Sequence, residues 1–110
     1  MAKAVETAWP ASAPLEGLVI TRYAHGCTPP LLRIRVIEAG HPVPDESGET
    51  AAKEILGLAE SLTADDLLLV LVSGGGSSLL SLPVVGITMT DLKVVPLLVV
   101  FHKPPPAVDT

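Results

Sequence analysis

Leu67–Ser78, written LLLVLVSGGGSS, is the stretch on which the reading of this chain turns. An unbroken aliphatic run, Leu67 to Val72, ends on Ser73, Gly74, Gly75, Gly76, Ser77 and Ser78. Continuous rather than alternating apolarity predicts a strand buried on both faces, as in the middle of a parallel sheet. Ligands of open α/β sheets bind at the carboxyl ends of such strands. Three glycines at that place admit two readings. They form a flexible turn, or they let the backbone take positive φ and aim successive N–H groups at an anion. A helix beginning at Ser77-Ser78-Leu79-Leu80 would add its free N–H groups and dipole. The hydroxyls of Ser73, Ser77 and Ser78 would be further donors. Three named motifs do not fit: no lysine follows as in GxxxxGK[ST], Leu79 stands where GxGxxG needs its last glycine, and GxSxG is absent.

Upstream, Asp45 or Ser47 predicts a helix cap. Glu46 and Glu49 suit the positive end of the helix that follows. That helix runs to about Ser61, with Ala52, Ile55, Leu56, Ala59 and Leu62 on one apolar face and Lys53, Glu54 and Glu60 toward water. Thr63-Ala64-Asp65-Asp66 is a polar turn into the aliphatic run. His41-Pro42-Val43-Pro44 ahead of the cap is stiffened by its two prolines.

Two further strands precede this unit. Gly17 to Tyr23 is β-branched and aromatic. Leu31 to Ala39 alternates, with Leu32, Ile34 and Val36 on one face and Arg33 and Arg35 on a wet one. The loop Ala24 to Pro30 is short for a parallel crossover, so the relation of these strands is open. Ala2 to Trp9 reads as helix, stopped by the connector Pro10 to Pro14. Strand, helix and strand at this spacing make a βαβ unit with a right-handed crossover. The fold class is α/β, with a mostly parallel, Rossmann-like sheet.

The bulk numbers bound the function. A chain of 110 residues is one domain at most. Net charge is −5, no basic stripe appears, and only one Phe, one Tyr and one Trp are present, which argues against nucleic-acid binding. No apolar run approaches the ~18 residues of a membrane span, so no membrane partner is expected. The single Cys27 excludes an internal disulfide and is compatible with a reducing cytoplasm, the expected location. A mean hydropathy of +0.52 predicts surface that something else covers. His25 and His41 each follow a strand and lack a third ligand at metal spacing, so no metal site is expected from them. Asp45 reads as a cap first and as a general base or metal ligand second. Arg22, Arg33 and Arg35 would steer an anion, although Arg33 and Arg35 read as a solvated strand face.

Four segments taken together, GLVITRYAHG, VIEAGHPVPDESG, LTADDLLLVLVSGGGSSLLSLP and GITMTDLK, resemble the N-terminal domain of the glycerate 2-kinases. These are the bacterial proteins with a second, so-called MOFRL domain, some of which carry the older label hydroxypyruvate reductase. The resemblance covers about residues 1–95. It implies transfer of the ATP γ-phosphate to the 2-hydroxyl of D-glycerate, with Mg2+, in a cleft between two domains. Ser73 to Ser78 would then cradle nucleotide phosphate or the glycerate carboxylate. Thr21, Tyr23, His25, His41 and Asp45 match family motif positions, with His41 and Asp45 the catalytic candidates. Family members are several times longer, with a lysine-bearing GKA-type motif just before the point matching Met1. The expectation is therefore a partial N-terminal domain over residues 1–95, without its second domain and inactive alone, and with a homo-oligomer left open. Residues 96–110, opening PLLVVFHKPPP, diverge into a Pro-rich tail of frameshifted or disordered character. The rival functions are an NAD(P)-dependent hydroxypyruvate reductase, which needs a dinucleotide fingerprint, and a non-catalytic anion-binding or interaction module.

Overall fold

The computed structural model describes residues 1–94. Gly17–Arg22 forms β1 and Ile34–Ala39 forms β2, as their β-branched content predicts. They pair in parallel, from Gly17 opposite Ile34 to Arg22 opposite Ala39. β2 begins later than expected, so the connection runs from Tyr23 to Arg33. That restores roughly the dozen residues a parallel crossover needs and answers the question left open by the sequence. Leu32, expected on the inner face of the strand, lies ahead of it and is 95% exposed.

Arg33 accounts for the late start. Its guanidinium donates to the main-chain oxygens of Glu6 (2.9 Å), Trp9 (3.1 Å), Pro10 (3.2 Å) and Ala13 (3.4 Å). These belong to the helix α1, Ala2–Ala8, and to the connector after it. The last carbonyls of a helix lack intrahelical partners and favour a cation. Glu6 Oε1 returns the tie by accepting from the amides of Leu32 and Arg33, each at 2.7 Å. Arg33 is thus an anchor for α1 and not a solvated strand residue. Arg35 is exposed as expected and pairs with Glu54.

Glu46–Glu60 forms α2, which packs across both strands. Asp45 is its cap, with Oδ1 accepting from Gly48 N at 3.1 Å. Ser47 Oγ donates to the carbonyl of Glu38 at 2.6 Å and ties the start of α2 to the end of β2. The buried face matches the expected one only in part, at Ala52. Gly48, Ala51 and Ala52 are buried, whereas Leu56 and Leu62 are 48% and 39% exposed. Small residues win because they let the helix axis approach the sheet. A Cβ on Gly48 would stand 3.5 Å from Ala39 Cβ and 2.8 Å from the Leu79 carbonyl oxygen.

The largest departure concerns Leu67 to Val72. The expected buried strand makes no ladder among the described residues, and its side chains are 48–77% exposed. The expected βαβ unit therefore lacks its second strand among the described residues. Continuous apolarity reports what a strand would need over it; α2 packs on both strands and α3 reaches β1, while the run stays exposed. The core is correspondingly small: Ile34, Ala39, Ala51, Ala52 and Met89, with no large side chain fully buried. The turn before the run forms as expected, with Asp66 Oδ2 accepting from Thr63 N at 2.8 Å.

Two short helices complete the described chain, α3 at Gly76–Leu79 and α4 at Met89–Val94. α4 opens on a reciprocal cap. Asp91 Oδ2 accepts from Thr88 N and Thr88 Oγ1, both at 2.7 Å, and Asp91 N donates to Thr88 Oγ1 at 3.2 Å. Those bonds hold the Asp91 carboxyl below its usual range, the backbone donor first and the hydroxyl second. No helix among the described residues is long and apolar enough to cross a membrane. The expected tail, 96–110, lies outside the described residues.

Candidate functional site

Side chains at the carboxyl ends of the two parallel strands converge on the glycine loop. β1 ends on Thr21 and Arg22, and His25 follows three residues later. β2 ends at Ala39, followed by Gly40 and His41. A cleft of about 330 Å³ is lined by Ile20, Thr21, Arg22, His25 and His41 on one side and by Ser73, Gly74 and Leu79 on the other. The carboxyl ends of β1 and β2 thus border the glycine loop, although the aliphatic run that leads into it is unpaired among the described residues.

Gly75 sits at the closest approach. It adopts φ +84°, a left-handed conformation open to glycine at little cost, and it caps α3. A Cβ there would also overlap the imidazole of His41, whose Cδ2 lies 2.8 Å from that position. Glycine at 75 is thus required twice, once by the backbone and once by the neighbouring ring. Gly40 is required by packing, since its Cβ would collide with the Val43 carbonyl oxygen.

The loop's polar groups divide into spent and unspent ones. Ser78 N donates to the Gly75 carbonyl at 3.3 Å, and Ser78 Oγ donates to the same oxygen at 3.0 Å. Ser78, expected among the ligand donors, thus closes the turn on itself. By contrast, the amides of Ser73, Gly74, Gly75, Gly76 and Ser77 make no hydrogen bond among the described residues, and neither do the hydroxyls of Ser73 and Ser77. Gly74 and Ser73 lie at the cleft, exposed.

A second layer orients the first. Tyr23 Oη donates to Asp45 Oδ2 at 2.6 Å, linking the turn after β1 to the cap of α2. The Asp45 acceptor favours the protonated phenol and raises the Tyr23 pKa above its ordinary value. Asp45 therefore fills the capping role with one oxygen and the tyrosine bond with the other. His25 Nδ1 lies 2.9 Å from the Tyr23 carbonyl, so its Nε2 is the ring nitrogen left for the cleft. Between them, Ala24 holds φ +62°, uncommon for a residue with a side chain. Cys27 is a free thiol away from this cleft, near the outer edge of β2.

Sequence reasoning singled out Thr21, His25, His41, Ser73 and the glycines, and the fold gathers them. It passed over Gly40, Gly48 and the Tyr23–Asp45 bond. Gly40 carried a readable signal, a glycine fixed between a strand and a proline pair. Gly48 carried none, because its neighbour Leu79 comes from a distant segment.

Residues 1–99 match the family described as a domain of unknown function, DUF4147. A glycerate 2-kinase of Pyrococcus horikoshii is 46% identical over 78 residues, 71% of this chain and 17% of that protein. An Agrobacterium vitis protein with the provisional name hydroxypyruvate reductase is 50% identical over 95 residues, 86% of this chain and 24% of its own length. The crystal structure of a glycerate kinase from Thermotoga maritima superposes with a TM-score of 0.65 at 40% identity, over 70% of this chain and 18% of that one. The chain thus spans about a fifth of the length of these relatives. It belongs to the DUF4147 family, and glycerate kinases are among its relatives.

Proposed function

We propose that this domain contributes the anion-binding half of a glycerate 2-kinase, which transfers the ATP γ-phosphate to the 2-hydroxyl of D-glycerate. One observation carries the reading. The amides from Ser73 to Ser77 have no partner among the described residues, and they surround a left-handed glycine at the mouth of a parallel sheet. Backbone N–H groups in such a turn bind phosphate or carboxylate oxygens. Phosphoryl transfer depends mainly on positioning and charge neutralisation, which a fixed set of donors supplies.

In this reading ATP brings the phosphoryl group, and the chain's own residues hold and orient. The loop amides and the hydroxyls of Ser73 and Ser77 grip an anion. His41 packs on Gly75 and fixes the loop's distance from β2. Tyr23 and Asp45 act as positioning residues. The donor set suits oxyanions. Among the described residues no three His, Cys, Asp or Glu side chains gather as a metal site. Both oxygens of Asp45 are engaged, so the described residues do not by themselves fit Mg2+, and no step is routed through it.

The name carried by the Agrobacterium relative favours a second reading, reduction of hydroxypyruvate. Leu79 in place of the last fingerprint glycine weighs against it. A chimera separates the two. Residues 1–94 replace the matching segment of the Thermotoga maritima glycerate kinase, and the product is assayed with D-glycerate and ATP, then with hydroxypyruvate and NADH. Phosphorylation is expected, with loss in the Gly75→Ala form. A folded chimera that only oxidises NADH would replace the kinase reading.

A further inference from the structure

We infer that Arg22 is the residue that grips the ligand's anionic group and so determines specificity at the cleft. The inference rests on the anion-site reading above and names the side chain that selects within it. Three arginines lie on or beside the two strands, and the fold commits two of them. The Arg33 guanidinium is consumed by four main-chain oxygens of α1 and its connector. Arg35 is paired with Glu54 of α2. The Arg22 guanidinium makes no hydrogen bond and no ion pair among the described residues. It is also the arginine that lines the cleft, together with His25, His41, Ser73 and Gly74.

Position strengthens the contrast. Arg22 is the last residue of β1, opposite Ala39 in the register, so a rigid ladder fixes its Cα. The guanidinium is a planar fork that binds carboxylate or phosphate in a bidentate way. No carboxylate lines this cleft to compete with a ligand. An unpaired cation beside unpaired amides makes a site with net attraction for an anion small enough for about 330 Å³. Two sources supply such an anion, the carboxylate of a hydroxy acid and the phosphates of a nucleotide, and titration of each identifies which one Arg22 holds.

The test titrates the 110-residue chain by calorimetry with D-glycerate and, separately, with ATP, alongside Arg22→Gln, Arg22→Lys and Arg35→Gln. Circular dichroism confirms that each variant retains the parent's secondary structure. Arg22→Gln is expected to weaken one of the two anions by at least about tenfold, ~1.4 kcal/mol. Arg22→Lys keeps the charge without the fork and is expected to recover part of that loss. Arg35→Gln is expected to leave both affinities unchanged. Equal binding by the parent chain and a folded Arg22→Gln would overturn the assignment of Arg22 while leaving the loop as an anion site. No binding of either anion by the parent chain would overturn the anion-site reading and the assignment with it.

Discussion

Two regions of this chain obey opposite rules. At the mouth of the sheet, the residues that frame the cleft have named partners: Asp45 holds Gly48 and Tyr23, Ser47 holds Glu38, and His41 fits the space left by Gly75. In the run Leu67 to Val72 none has one, and six aliphatic side chains stand 48–77% exposed. The first region is fixed by short-range geometry that the chain itself supplies. The second is written for layers that the described residues do not provide. Local capping and close backbone approach are thus enough to shape a site even where the hydrophobic core around it is slight.

The comparison breaks most readily at Gly75. Gly75→Ala adds a Cβ in a left-handed conformation and drives it into His41. The expected result is loss of anion binding together with destabilisation of the loop by about 1–3 kcal/mol, read by titration and by local hydrogen exchange. Retained affinity would mean that the loop and His41 do not depend on each other. Asp45→Ala comes next. It removes the cap of α2 and the Tyr23 bond at once, with an expected cost of about 1–2 kcal/mol in denaturant unfolding. Asp45→Asn keeps an acceptor at the cap and is expected to lose less.

The exposed run gives the converse prediction. Apolar surface of this extent drives association. Leu68→Lys with Val70→Thr is expected to lower the sedimenting mass and to leave the unfolding midpoint within ~0.5 kcal/mol of the parent. A fall in stability with no change in mass would show that the run is packed within the chain. The smallest effect is electrostatic. The phenol of Tyr23 has a folded pKa above its unfolded value, because Asp45 accepts the hydrogen bond that the protonated phenol donates. Its contribution is therefore complete below the unfolded pKa near 10 and is lost as pH rises through the folded value. Tyr23→Phe is expected to flatten that alkaline limb and to leave the neutral limb's slope unchanged, as read by unfolding against pH.

The legible part of the fold was the part set by local chemistry. Asp45 ahead of Glu46 and Glu49 predicts a cap, and the alternation Ile34, Arg35, Val36 predicts a strand. The His–Pro–Val–Pro stretch and the three glycines marked the loops of the site before their proximity was visible. Three features were misread or hidden for one common reason, that they depend on distant neighbours. Arg33 looked like a strand residue because nothing in its own segment says that the carbonyls of α1 end beside it. Leu56 looked buried because apolar spacing ignores how closely small residues bring a helix to a sheet. The run Leu67 to Val72 looked like a central strand because its composition records its need for cover and not the cover's presence.

The central claim is that free main-chain amides at the mouth of the sheet take an anion. Proton–nitrogen correlation spectra of the 110-residue chain, recorded during titration with D-glycerate and with ATP, address it residue by residue. The account predicts saturable shifts confined to the amides of Ser73 to Ser77, with the amide of Ser78, already bound to Gly75, nearly still. Unmoved loop amides at saturating ligand, or shifts centred on another surface, would contradict it.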